Sequence, residues 1–394
     1  MKYITIIALL LAPAVGMAYN SPDSTAAGEE HIILISDMQL QIDVNQAMND
    51  MYNFKFDEAE RQFRWLKQKY GWHPLPYFLL GLSEWWKIMP NVDSRQYDDT
   101  FMAYMDTVIN ISERLYEMPK HEVEASFFLA AAYGFLGRLH SSEERRNWTK
   151  SAWAGKNALK YMELGDGRHD LSPELLFGDA LYNYFSVWVP ENYPLLKPLL
   201  AFFPKGDKDL GIKQLREVSY NAFYTRTEAM VFLMRILASY ENDRQRALQI
   251  SQYLHETYPD NPYFHRYYAR ILYGMGKYSS VKPIAESIIM KIDAGMPGYE
   301  ATSGRYASFF LGEIYDTQKD HMRAEHYYLR AVEFSESIEA TDTGYYHYAL
   351  LSLGRIYQEQ GDEKRAKKYF KAVKKSAKRK SSVHELAREE LKDL

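Results

Sequence analysis

The sequence predicts an all-α protein in which helix-turn-helix hairpins stack into a solenoid. In segments such as residues 268–289 and 307–334, apolar residues recur at intervals of three and four, which is the spacing of one helix face. These segments lack the alternation of a β-strand, and each is divided into two helices by a short turn that is polar or contains glycine. Because one hairpin cannot bury its apolar face alone, the hairpins are expected to pack on one another.

The composition is that of a folded chain with a substantial core. Of 394 residues, 46% are hydrophobic and 15% aromatic. The formal net charge of -4 is close to balanced and gives no general attraction to nucleic acid. The chain has no cysteine, which excludes disulfides, thiol catalysis and thiolate metal sites.

The N-terminus has the layout of a secretory signal peptide over residues 1–18. Lys2 precedes an apolar run at 4–11, and a small residue, Ala18, stands at the expected cleavage site. The apolar run is shorter than the roughly 20 residues that a membrane-spanning helix needs. Residues 19–30 are small and polar and are predicted to be a flexible leader. We therefore expect an exported, soluble, periplasmic protein.

Small residues recur at one position in the first helix of each predicted hairpin. Two intervals of this series, Ala47 to Gly81 and Arg235 to Ala269, are 34 residues long, which is the period of tetratricopeptide repeats. The other intervals are longer, and the extra residues fall in polar or proline-containing connections such as 91–100. The aligned positions, of which only Arg235 is not small, are Ala47, Gly81, Ala130, Gly178, Arg235, Ala269, Gly312 and Gly354.

Two units match the tetratricopeptide signature well. The matching residues are Leu353, Gly354, Tyr357, Gly361, Ala366 and Phe370 in one unit, and Leu311, Gly312, Tyr315, Ala324, Tyr328 and Ala331 in the other. The chain resembles the tetratricopeptide-repeat superfamily over roughly residues 36–380. The resemblance implies a right-handed α-solenoid of about eight hairpins with a concave inner surface, here placed at 31–380, followed by a capping helix at 381–394. It specifies fold strongly and function weakly.

A proline-rich insertion at 189–206 departs from the repeat pattern. Four prolines, Pro190, Pro194, Pro198 and Pro204, are predicted to prevent a continuous helix. One interpretation is an ordered loop that packs its leucine and phenylalanine side chains on neighbouring hairpins. The other is a lid or partner contact, whose candidate residues are Trp188, Tyr193, Phe202 and Phe203. Residues 172–290 also resemble, more loosely, the inclusion-body-clearance family of tetratricopeptide proteins and exported Gram-negative relatives, which implies no catalytic residues.

The usual sequence signs of catalysis are missing. The eleven histidines are dispersed without an HExxH or His-x-His pairing, and GxSxG and GxGxxG motifs do not occur. His265 and His326 lie beside aromatic residues, where a packed or solvated histidine is expected rather than a metal ligand. The sequence therefore predicts no enzyme, no cofactor and no metal.

The inner wall of the solenoid is the better candidate for a site. It is expected to bind an extended peptide or a partner helix, because tyrosine and arginine combine contact area with hydrogen bonding. Some of the tyrosines could instead fill the space between helices, but the arginines are harder to explain as core. The predicted wall residues are Tyr263, Arg266, Arg270, Tyr273, Tyr306, Phe309, Glu313, Asp316, Tyr348, Leu351, Arg355 and Gln358.

The segment 364–380 holds ten lysines or arginines and no acidic residue. It is either a solvated helix face or a contact for anionic lipid headgroups, lipopolysaccharide or an acidic protein. Nucleic acid is not expected as a partner of an exported protein.

These observations predict an exported periplasmic scaffold that binds a protein or peptide partner in its groove, in cell-envelope assembly or maintenance. The alternative is a lipid- or glycan-binding carrier, or an enzyme, with a pocket near the insertion that includes Asp179, Tyr182 and Asn183. The sequence specifies neither the partner nor the oligomeric state.

Overall fold

A computed structural model describes residues 33–142, 145–165, 171–194, 197 and 204–394. These residues form 17 α-helices and no strand, so the predicted all-α solenoid of helical hairpins is confirmed. The predicted signal peptide and leader lie outside the described residues. The helices are α1 Met38–Tyr52, α2 Phe56–Lys69, α3 Leu75–Ile88, α4 Asp98–Tyr116, α5 Glu122–His140, α6 Trp148–Gly165, α7 Leu176–Asn192, α8 Lys208–Asn221, α9 Arg226–Ser239, α10 Arg244–Thr257, α11 Pro262–Gly274, α12 Tyr278–Asp293, α13 Ala301–Thr317, α14 His321–Ser337, α15 Gly344–Glu359, α16 Glu363–Ser376 and α17 Ser382–Glu390.

The chain divides into two compact units. Among the described residues, unit 1 comprises those within 33–88 and 92–236, and unit 2 comprises 89–91 and 237–394. In unit 1, four hairpins pair α1 with α2, α3 with α4, α5 with α6, and α7 with α8. In unit 2, three hairpins pair α11 with α12, α13 with α14, and α15 with α16, while α17 packs on α15 and α16. The aligned positions all fall in the first helix of a pair or, for Arg235, in α9.

Glycine in a first helix lets an aromatic ring of the second helix approach closely. A Cβ atom added at Gly312 would lie 2.6 Å from Cδ1 of Tyr328, which is closer than real Cβ contacts allow. The same addition at Gly354 would meet the ring of Phe370, and Tyr328 and Phe370 are both fully buried. The signature residues of the last two hairpins are therefore packing residues.

Helix α7 includes the first proline of the insertion. It continues through Pro190 and ends at Asn192, before Pro194. Pro190 lies in the last turn, where its missing N–H forfeits one hydrogen bond. The end of the helix is still closed, because Tyr193 N donates to Val189 O at 2.8 Å.

Candidate partner-binding surface

The structure brings together the predicted wall residues of α11 and α13 in unit 2. The guanidinium of Arg270 lies 4.8 Å from the ring centroid of Tyr306. The ring centroid of Tyr273 is 6.2 Å from that of Phe309, and Tyr273 also stacks on Phe310 at 4.2 Å. Side chains on two successive first helices therefore form one continuous row.

Helix α15 extends this row through charged side chains. Burial raises the pKa of Glu313 and of Asp316, and the positive charge of Arg355 partly opposes the rise at both carboxyl groups. Glu313 Oε1 also accepts a hydrogen bond from Tyr328 Oη at 2.6 Å. Two half-buried carboxyl groups of α13 are thus within electrostatic reach of an arginine on α15.

Five of the predicted wall residues are buried. Tyr263 is 4% exposed, and Arg266 and Tyr306 are 6% exposed, while Phe309 and Leu351 belong to the apolar core. The guanidinium Nη1 of Arg266 donates to Pro90 O at 3.0 Å and to Ser303 Oγ at 2.9 Å, and burial lowers the pKa of this group. This corrects the expectation that these side chains are accessible to a partner. The side chain of Arg266 is buried with its Nη1 group hydrogen-bonded to a carbonyl and a hydroxyl, as buried polar groups generally are.

The remaining wall residues are exposed or half-buried. We call this set the first-helix face: Arg270, Tyr273, Glu313, Asp316, Tyr348, Arg355 and Gln358. Its edge is bordered by α17, because Arg355 Nε donates to Glu390 Oε1 at 2.7 Å and Tyr348 Oη lies 3.2 Å from Ser382 Oγ.

Two residues that the sequence did not single out adjoin the first-helix face. His321 lies between carboxylates, with Nδ1 3.6 Å from Asp316 Oδ1 and Nε2 3.4 Å from Glu359 Oε2. The ring of Tyr345 lies 5.1 Å from that of Tyr306. The sequence reasoning missed both residues because it took wall positions only from the middle of each first helix. Tyr345 lies in the first turn of a first helix, and His321 begins a second helix.

The other predicted site is only partly described. Phe202 and Phe203 lie outside the described residues. Trp188 is 9% exposed, and its ring centroid lies 6.1 Å from that of Tyr193. The role of these residues as a lid or partner contact stays a prediction.

Two polar groups predicted for the alternative pocket near the insertion are hydrogen-bonded within unit 1. Tyr182 Oη donates to Pro204 O at 2.7 Å, and Asn183 Nδ2 donates to Gln214 Oε1 at 2.8 Å. A cavity of about 300 Å3 lies elsewhere in unit 1, among α4, α5 and α6, and includes Glu113, Lys160 and Tyr161 in its lining.

The histidine singled out in α11 is packed. His265 Nδ1 lies 2.9 Å from Tyr299 Oη, and its ring stacks on His255 at 4.3 Å between centroids. Burial lowers the pKa of His265 to about 2 and that of His255 to about 4. Across the described residues, no group of three histidine or carboxylate side chains is arranged to hold a metal ion. In the same part of the chain no helix is both long and apolar enough to cross a membrane.

A comparison with protein families supports this fold in the last two hairpins of unit 2. The tetratricopeptide repeat family model matches residues 306–338 and 347–379. The crystal structure of yeast Tom70 is 12% identical, with 90% of this chain and 96% of that chain covered and a TM-score of 0.23. The crystal structure of the P58(IPK) TPR domain is 13% identical, with 91% and 99% covered and a TM-score of 0.22. Scores of this size carry no argument about shape or function. No curated protein sequence matches the chain.

The helical hairpins and the family match define a class of protein, the helical-repeat scaffold for protein–protein interaction. Within that class the chain carries tetratricopeptide repeats at 306–338 and 347–379, where the signature residues predict them. The narrower resemblance to the inclusion-body-clearance family stays a prediction.

Proposed function

We propose that this protein is an exported periplasmic scaffold, not an enzyme, and that it binds an extended segment of a partner protein on the first-helix face of unit 2. We place this activity in the assembly or maintenance of the cell envelope. The observation that carries the proposal is that three successive first helices, α11, α13 and α15, each present partly exposed tyrosine or charged side chains, and those of α11 rest on the buried rings of Tyr306 and Phe309 of α13. Because the first helices repeat along the solenoid, they provide a series of equivalent positions for the successive side chains of an extended segment. Such a series suits the binding of an extended peptide.

The face has the chemistry of a protein contact. It combines tyrosines with both signs of charge, and such mixtures give contact area and orientation together. Burial disfavours the charged form of Glu313 and Asp316 and so raises the pKa of both carboxyl groups. A cationic group of the partner would stabilise the two carboxylates, as the positive charge of Arg355 does in the free chain.

Photocrosslinking tests the contact. A photoreactive phenylalanine analogue is placed at Tyr348 or Gln358 of the full chain, and at Tyr253 or Gln252 as matched controls on the exposed side of α10. We expect a discrete adduct in cell-envelope extract from the face positions and none from the control positions. Equal adducts from both sets would contradict a contact through the first-helix face.

Cell fractionation tests the export. We expect the chain in the fraction released by osmotic shock, with Tyr19 as its N-terminal residue after cleavage at Ala18. A cytoplasmic chain that keeps the N-terminal apolar run would refute the periplasmic assignment and leave the crosslinking result standing.

A second proposed contact involves the basic C-terminal helix. This helix, α16 with the residues that follow it to 380, is proposed to contact an anionic surface of the envelope, as its ten basic residues predict.

A further inference from the structure

One side of α16 is buried and the opposite side is a row of lysines. Ala366, Phe370 and Val373 are fully buried against the rest of unit 2. Since a helix turns by about 100° per residue, the lysines at every third or fourth position fall within about 60° of one another and opposite the buried side. We call these exposed residues the lysine stripe: Lys364, Lys368, Lys371 and Lys375. The stripe is straight and about 16 Å long at 1.5 Å per residue.

The charge of the stripe is not neutralised within the described part of the chain. The acidic residues near the start of α16 are engaged elsewhere, since Asp362 pairs with Arg365 at 2.5 Å and Glu363 pairs with Lys367 at 3.1 Å. No acidic residue follows until Glu385, and every fully exposed residue between 364 and 380 is lysine or arginine. Helix α17 packs against α16 yet leaves the stripe exposed.

The charge of the whole chain would orient it on an anionic surface. The formal net charge is -4, and residues 364–380 supply +10, so the rest of the chain carries -14. An anionic surface therefore attracts this one segment and repels the remainder, which favours a single docking orientation.

The chemistry of the stripe matches a lipid headgroup layer better than a protein interface or a single-stranded nucleic acid. Protein interfaces have apolar centres and few lysines, whereas no apolar side chain is exposed here. Single-stranded nucleic acid needs aromatic side chains on which bases stack, but the ring of Tyr369 is stacked on Tyr357 at 5.5 Å. Flexible lysine stems that end in point charges suit a diffuse layer of phosphates.

We propose that the lysine stripe docks the protein on an anionic phospholipid bilayer, with α16 lying parallel to the surface and no side chain inserted. This deepens the proposed envelope contact and rests on it. Headgroup phosphates are the partner of Lys364, Lys368, Lys371 and Lys375, and attraction to the surface falls off with ionic strength.

Vesicle binding by the full chain tests the proposal. The probes are phosphatidylcholine vesicles with and without phosphatidylglycerol, and binding is measured by co-sedimentation at low and high salt. We expect binding only with phosphatidylglycerol and at low salt, and a loss of about fivefold in affinity for each lysine that is changed in the series Lys364→Gln, Lys368→Gln, Lys371→Gln and Lys375→Gln. The matched control carries Lys55→Gln, Lys156→Gln, Lys213→Gln and Lys277→Gln, which removes the same charge from exposed positions elsewhere.

The contrary outcomes separate the two proposals. Equal losses of affinity in the stripe variant and the control variant would overturn the proposal that the lysine stripe binds the bilayer. Binding to phosphatidylcholine alone would overturn it as well. Any contribution from the N-terminal apolar run is the same in all variants, so it does not affect the comparison. Tighter binding to dextran sulfate than to the vesicles would overturn the lipid assignment and leave the anionic contact intact. Absence of binding to either anionic probe would overturn both.

Discussion

In unit 1 the hairpins are joined by buried charged side chains that reach far along the chain, whereas α13–α16 in unit 2 are held by contacts between near neighbours. Glu124 is fully buried, and its carboxylate accepts from Ile35 N at 2.7 Å and lies 3.1 Å from a ring nitrogen of His73 and of His121. Burial alone would raise the pKa of Glu124, but the hydrogen bond from His73 and the other contacts outweigh it and hold the pKa below its usual range. Arg145 is another such anchor, because it binds Asp98 and the carbonyls of Val92 and Ser94.

The last two hairpins of unit 2 repeat one local framework at an interval of 42 residues. Tyr315 stacks on Tyr327 at 5.6 Å between centroids, and Tyr357 stacks on Tyr369 at 5.5 Å. In each second helix an aspartate, Asp320 or Asp362, accepts from the backbone N–H three residues later as an N-cap. Each of these stacks and caps joins residues of a single hairpin.

The difference shows why the family model matches only the residues of these hairpins. Small and aromatic residues at fixed spacing recur from repeat to repeat, so a sequence pattern detects them. A buried carboxylate such as Glu124 is specific to one place in the fold, so no periodic pattern in the sequence predicts it. We expect the two kinds of packing to respond differently to substitution.

The largest expected effect is at a long-range anchor of unit 1. Glu174 accepts hydrogen bonds from the backbone N–H groups of Phe223 at 2.6 Å, Tyr224 at 3.0 Å and Thr225 at 2.8 Å. Because each buried donor left without an acceptor costs about 1–3 kcal/mol, Glu174→Ala should lower the free energy of unfolding by about 3–5 kcal/mol in urea titrations. The control Glu217→Ala, at an exposed position, should change it by less than about 0.5 kcal/mol. Similar values for both would refute the anchor.

A smaller effect is expected at the local framework of unit 2. The added methyl of Gly354→Ala would collide with the ring of Phe370, and overpacking of this kind costs about 1–3 kcal/mol. Hydrogen exchange should show lost protection confined to α15 and α16. The control is Gly274→Ala, where an added Cβ meets nothing within 4 Å, and addition of Phe370→Leu should recover part of the loss. Protection lost in unit 1 instead would show that the framework is not local.

A third effect, seen only as pH falls, concerns the stacked histidines of unit 2. Burial, aided by the charge of Lys291, lowers the pKa of His255 to about 4, from about 6.5 in an unfolded chain. The unfolded state therefore binds the proton more readily, so stability falls as pH drops below about 6.5 and continues to fall to about 4. At pH 5 the loss from this group is about 2 kcal/mol.

His255→Phe isolates this contribution, since phenylalanine keeps a ring to stack on His265 and Tyr268. We expect a shallower decline of unfolding free energy between pH 7 and pH 5 than in the unsubstituted chain, measured by urea titration at each pH. An unchanged slope would show that His255 does not titrate on unfolding.

The helical hairpins, the eight aligned first helices and the tetratricopeptide class could all be predicted, because helix periodicity and small residues such as Gly312 and Gly354 are local properties of the sequence. The wall residues were assigned by position, and the structure divides them: Arg270, Tyr273 and Tyr348 remain accessible in part, while Tyr263, Arg266 and Tyr306 are buried. Whether the accessible ones bind a partner stays a prediction.

What the sequence by itself determined is therefore the architecture and the charge of its C-terminal helix, since both follow from residue spacing along one helix. Only the tertiary structure decided which wall residues are exposed, where Arg266 finds its carbonyl and hydroxyl partners, and how Glu124 and Glu174 join distant segments. The physical reason is that burial and hydrogen-bond satisfaction depend on groups brought together from far along the chain, and spacing along the chain carries no information about them.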